Sequence, residues 1–172
     1  MHAWTDVIRK TLLCGALAMG LALAGCDVKN ISELEEGVST EADVRERFGA
    51  PEAVWDGADG SQIYEYNRQP AGHVNYMITI GPDGRMSALR QVLTERNFAR
   101  VLPGMAMEEV RRMLGKPMKI TTYDLTRETH HDWRYMDGVN QSDSKVFTVV
   151  FDTDLRVIRT MSMPDPDLDR TR

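Results

Sequence analysis

Few residues in this chain join a reactive side chain to a spacing that suits a reaction. His130 and His131 are adjacent, and neighbours on a strand or a helix point apart, so they cannot form the i, i+4 face on which two imidazoles grip one metal. His73 stands alone. Asp165, Asp167 and Asp169 alternate as in a calcium loop but lack the glycine and distal glutamate such a loop needs, and they read instead as an acidic tail. No serine sits in a G-x-S-x-G turn, and no glycine-rich loop opens a helix as a phosphate cradle. The reading from these residues is a non-enzymatic chain with no catalytic set, no metal site and no cofactor. What remains is the thiol of Cys26, which closes an apolar run; Cys14 lies inside that run.

Residues 1–10 end in Arg9 and Lys10, residues 11–25 are almost purely apolar and small, and Leu23, Ala24, Gly25 and Cys26 then spell LAGC. Basic, apolar and small segments in that order predict an export signal over 1–25, with an apolar part too short to cross a hydrocarbon core of ~30 Å. The LAGC box resembles the lipobox of bacterial lipoproteins. That resemblance implies cleavage between Gly25 and Cys26, diacylation of the Cys26 thiol and acylation of the new amino group. Membrane attachment through those chains is then lasting, because each buried methylene contributes ~0.8 kcal/mol and two or three chains act together. Residues 26–30 form the expected lipidated tether, whose four residues after the cysteine reach at most ~14 Å. Cys14 leaves with the leader, so the mature chain has no thiol pair for a disulfide and must hold together by packing.

Loss of the leader removes Asp6, Arg9 and Lys10, leaving 19 basic and 25 acidic residues. An acidic balance argues against nucleic acid and against a polybasic hold on anionic lipid. Over the whole chain a hydrophobic fraction of 42% and a charged fraction of 27% describe a soluble globular body rather than a disordered or membrane-spanning one.

That body is a repeat. ISELEEGVSTEADVRERFGAP, 31–51, returns as FARVLPGMAMEEVRRMLGKP, 98–117: Ile31 answers Phe98, Gly37 answers Gly104, Val44 answers Val110, Phe48 answers Leu114, Gly49 answers Gly115 and Pro51 answers Pro117. Downstream, Tyr64 and Tyr66 answer Trp133 and Tyr135, and Tyr76, Ile78 and Ile80 answer Phe147, Val149 and Phe151. The expected fold is α+β: two tandem copies of a module of two helices and a four-stranded antiparallel sheet, at 31–93 and 98–163, followed by a flexible acidic tail at 164–172. Asn30 is the expected N-cap of a short helix ended by Gly37. Thr40 and Asp43 make a capping box for the next helix, and Met105 or Ala106 leaves the copy-two helix poorly capped. The period then changes from near four to two. Strands are expected at 52–56, 62–68, 73–80 and 85–92, and again at 118–125, 132–136, 145–151 and 156–163. The link from Val92 to Asn97 is short, and a module of ~65 residues is marginal alone, so the copies should pack together.

The order L-x-x-G-[VM], V-R-x-x-[FL]-G-x-P, paired aromatics and an alternating hairpin resembles the SmpA/OmlA, or BamE-like, family of outer-membrane lipoproteins, in a doubled form like that of β-lactamase inhibitory proteins. The resemblance implies an accessory lipoprotein that binds protein partners of the envelope, the β-barrel assembly machinery among them, at the periplasmic face of the outer membrane. Asp27, after the modified cysteine, resembles an inner-membrane retention signal and keeps that membrane open. The alternative function is a protein inhibitor that holds an envelope enzyme on the concave face of the paired sheets. Candidate interface residues are Trp55 and Tyr123, aromatics near strands and turns, with Met105 and Met107 as adaptable contacts.

Overall fold

A computed structural model describes residues 26–137 and 143–167. The leader, 1–25, lies outside the described residues. The chain divides into two compact units, 1–34 and 35–172.

In the first unit α1 spans Cys26–Ser32. This corrects both the expected tether and the expected helix: Asn30 lies inside α1 rather than capping it. Ser32 Oγ donates to the Lys29 carbonyl at 2.8 Å, as a serine at a helix end does when it competes for backbone groups.

The second unit holds both sheets. α2, Glu41–Phe48, starts at a full capping box, with Asp43 N–H donating to Thr40 Oγ1 and Thr40 N–H to Asp43 Oδ2. It buries Val44 and Phe48 over one face of a sheet ordered β1 (Ala53–Asp56), β2 (Gln62–Asn67), β3 (Asn75–Ile80) and β4 (Met86–Gln91). A single turn, α3, Glu95–Phe98, occupies the link and is capped by Thr94. α4, Met107–Leu114, covers a second sheet ordered β5 (Lys119–Tyr123), β6 (Glu128–Asp137), β7 (Asp143–Phe151) and β8 (Val157–Pro164). Ala106 offers no side-chain cap, but Glu109 Oε2 accepts its N–H at 2.7 Å, so half of the box survives.

The copies agree down to single backbone bonds. Gly37 N–H donates to Met86 O and Gly104 N–H to Val157 O, both at 2.8 Å. Each β3–β4-type hairpin carries its register step at the same place, after Thr79 in one copy and after Val150 in the other.

In one respect the backbone overturns the expected alignment. Glu52 N–H donates to Glu65 O as Met118 N–H does to Asp132 O, which makes Tyr66 the equivalent of Trp133 and Tyr64 the equivalent of His131. Both members of the first pair do one job: Tyr66 Oη donates to Gly49 O at 3.1 Å and Trp133 Nε1 to Gly115 O at 2.9 Å, satisfying carbonyls that the helix end leaves open. Strand β6 accordingly begins at Glu128, four residues before the expected start, and His131 is buried between Trp133 and Phe151. The aromatic alternation hides this, because a histidine stands where copy one has a tyrosine.

Copy two also covers copy one. The face of β1–β4 turned away from α2 presents Glu65 and Asn75, each fully buried. Glu65 Oε1 accepts Lys116 N–H at 2.8 Å, and Asn75 Nδ2 donates to Leu114 O at 2.8 Å. Thus α4 is held between the far face of the first sheet and the near face of the second, where Val110 and Leu114 join Phe98, Trp133, Phe147 and Phe151 in the core.

Candidate protein-binding face

Alternation on β5, β6 and β8 sends Tyr123, His130, Arg159, Met161 and Met163 to the far side of the second sheet, opposite α4. The corresponding side of the first sheet is taken by copy two at Glu65 and Asn75, whereas here the edge residues stay open: Tyr123 is 48% and Met163 42% exposed. Their floor is dry, since Val146 and Val150 on the central strand β7 are buried.

Tyr123 and His130 lie 4.6 Å apart, centroid to centroid, with their planes tilted by 55°. His130 Nε2 is 3.2 Å from Glu128 Oε2, and Arg159 donates to both Glu128 oxygens, at 2.7 and 3.0 Å. The Arg159 hydrogen bonds first, then that of His130, hold the Glu128 carboxyl down at about 2. A carboxyl so held stays ionised and paired, so it cannot act as a general acid near neutral pH. The strip offers an aromatic ring, thioethers and a fixed ion pair, the composition by which protein interfaces are anchored.

At the other end of the same face, His73 Nε2 lies 3.0 Å from Ser144 Oγ, which donates to Asp165 Oδ2 at 2.8 Å. The residue types are those of a hydrolase triad, but the roles are not. The carboxylate takes the serine proton, leaving the imidazole to donate rather than act as base. Asp165 also contacts Arg134 Nε at 2.5 Å, and Arg134 reaches back to Pro70 O at 3.0 Å, so the cluster ties the loop of copy one to copy two. This corrects the expected flexible tail: Asp165 is buried and Asp167 pairs with Arg134 at 2.7 Å, while 168–172 lie outside the described residues. A shallow cavity of about 220 Å³ near Thr122, Arg127 and Leu155 holds no convergent catalytic set. Among the described residues no group of three His, Cys, Asp or Glu is placed to hold a metal ion.

The other candidates are dispersed. Trp55 faces inward to copy two: Nε1 donates to Glu65 Oε2 at 3.3 Å, and the Arg112 guanidinium lies 5.1 Å from its ring. Met105 and Met107 pack, half-buried, against the core of copy two. Gly25 lies outside the described residues, and the same holds for the side chain of Cys26. Tyr123 alone of the four interface candidates joins the open face. Glu128, His130, Arg159 and Met163 were not anticipated there, although extending the Tyr135, Trp133, His131 alternation back along the chain would have placed Glu128 and His130 on its opposite side.

Residues 91–161, which include α4 and most of the second sheet, match the model of the outer membrane protein assembly factor BamE domain. No curated protein matches the chain by sequence. A DUF4309 family protein (YjgB) from Bacillus subtilis subsp. subtilis str. 168 is similar at 23% identity, over 77% of this chain and 83% of its own, with a TM-score of 0.29. A putative beta-lactamase inhibitor protein from Streptococcus mutans is similar at 9% identity, over 79% and 93%, with a TM-score of 0.32. Among the described residues no helix is long and apolar enough to cross a membrane, which says nothing of a β-barrel.

Proposed function

We propose that this chain is a non-enzymatic binding factor of the bacterial envelope, held to the periplasmic face of the outer membrane by acyl chains on Cys26 and supporting outer-membrane protein assembly. The observation that carries the reading is the match of residues 91–161 to an assembly-factor domain. It is supported by the LAGC sequence ahead of the modules and by the open far face of the second sheet, where Tyr123 and Met163 are exposed. A partner docks on that face, with Tyr123 and the methionines as its anchors and the Glu128–Arg159 pair as a fixed rim.

The test is cross-linking in intact envelopes from a photoreactive residue at Tyr123 or Met163 of the full-length chain. Components of the β-barrel assembly machinery are the expected products, and Met163→Asp should abolish them. Capture of one soluble hydrolase instead would replace this reading with the inhibitor. Products formed equally well from a probe at Glu46 on α2 would remove the face from the argument.

A further inference from the structure

The two sheets end in edge strands that the repeat makes equivalent, β4 and β8, and they are finished differently. In β4 the outward amide of Leu89 donates to Glu36 Oε1 at 3.0 Å, and the same carboxylate pairs with Arg90, so the edge is plugged. The register equates Leu89 with Thr160, since they pair with Ile78 and Val149 at the same distance from the register step. Thr160 and, two residues on, Ser162 therefore turn their N–H and C=O groups away from β7. Where copy one has Glu36, copy two has Pro103, which carries no acceptor side chain, and both Thr160 and Ser162 are exposed. Among the described residues no other group bonds this edge, and an edge so left is a template for another strand. Its limits are built in. Gly104 and Met105 cover Val157 at one end, and Pro164, with no N–H, closes the other.

We propose that β8 pairs with β8 of a second copy of this chain, antiparallel about a two-fold axis at Met161, joining two four-stranded sheets into one of eight. The occupant is argued from charge and register. With Met161 opposite itself, Thr160 faces Ser162 and exchanges both backbone bonds with it, giving four hydrogen bonds in all, and Arg159 faces Met163. No like charges meet. The equivalent pairing of β4 would set Arg90 against Arg90, which is destabilising, and its edge amide is already bonded. The self-pairing therefore belongs to copy two alone. The axis stands perpendicular to the sheet, so the far faces of the two copies lie side by side. The proposal does not depend on which protein that face binds.

The experiment uses the full-length chain in detergent micelles. Sedimentation should give a dimer that dissociates on dilution, and Met161→Lys, which sets two ammonium groups across the axis on an exposed edge, should weaken it about tenfold or more. Under mild oxidation Met161→Cys should form a disulfide-linked dimer well above the background of Cys14 and Cys26 in the unsubstituted chain, whereas a cysteine at Tyr123, on the opposite edge of the sheet, should not. A chain that stays monomeric at all concentrations would overturn the proposal. So would a dimer that Met161→Lys leaves intact, or cross-links from position 161 to other proteins only.

Discussion

Glu65 and Lys116 lie 51 residues apart in the chain and are joined by one hydrogen bond, the Lys116 backbone N–H donating to Glu65 Oε1 at 2.8 Å. The carboxylate is fully buried, and Trp55 Nε1 at 3.3 Å and Arg111 at 3.5 Å take up its remaining capacity. The side chain of one module thus satisfies the backbone just beyond a helix of the other. Asn75 repeats the device with Leu114 O and Lys116 O.

Glu65→Ala is expected to destabilise the fold, by about 1–3 kcal/mol for each donor left without an acceptor, whereas Glu65→Gln keeps a carbonyl oxygen and should cost less. Denaturant unfolding followed by tryptophan fluorescence checks this, since Trp55 and Trp133 report from different copies. A single shared transition is expected for the unsubstituted chain. Two separated transitions would show that the buried carboxylate does not couple the modules.

Gly49 and Gly115 close equivalent helices at φ +80° and +77°, with ψ −158° and −173°, a region only glycine occupies easily. Replacement by alanine should cost ~1–3 kcal/mol at either place. Gly115→Ala should cost more, because its Cβ would meet Asn75 Nδ2 at 2.9 Å while at Gly49 nothing lies within 4 Å. The excess should shrink when Asn75→Ala is present in both chains, which a double-mutant cycle measures directly.

His131 and His73 are both held below the ordinary imidazole range, by burial first; Arg134 adds to the effect at His73. For a base, a lowered folded value means that the unfolded chain binds the proton first on acidification. Stability should therefore be intact above pH ~6.5 and decline as the pH falls below it. Thermal melts at pH 7.5 and 5.5 should show the drop, and His131→Phe should reduce it while keeping a ring between Trp133 and Phe151. An unchanged drop in the variant would assign the effect elsewhere.

Cys26→Ser should leave both modules folded, because residue 26 lies outside the unit that contains the two sheets. Location should change instead. Metabolic labelling with a fatty-acid analogue should mark the unsubstituted chain in the membrane pellet and leave the serine variant unmarked. An unsubstituted chain that is unlabelled and free in the periplasm would remove the anchor from the proposed function.

The order of elements was legible in the sequence because it rests on local physics: Thr40 and Asp43 cap α2, glycines end both long helices, and strands alternate at period two. All four strands of copy one begin and end within two residues of expectation for that reason. α1 was displaced because a single cap at Asn30 carries too little free energy to set a boundary alone. Pairing is non-local, and there the sequence ran out. Nothing in Tyr64 and His131 as residue types says that they are equivalents; the ladder of β5 on β6 decides it. The same holds for Glu65 and Asn75, whose spacing suits an ordinary half-exposed strand face and which are buried only because α4 of the second copy comes to lie on them, with Trp55 half-buried beside them. Which sheet face closes and which stays open follows from that one packing step, since burying Glu65 is tolerable only where another backbone supplies its donors.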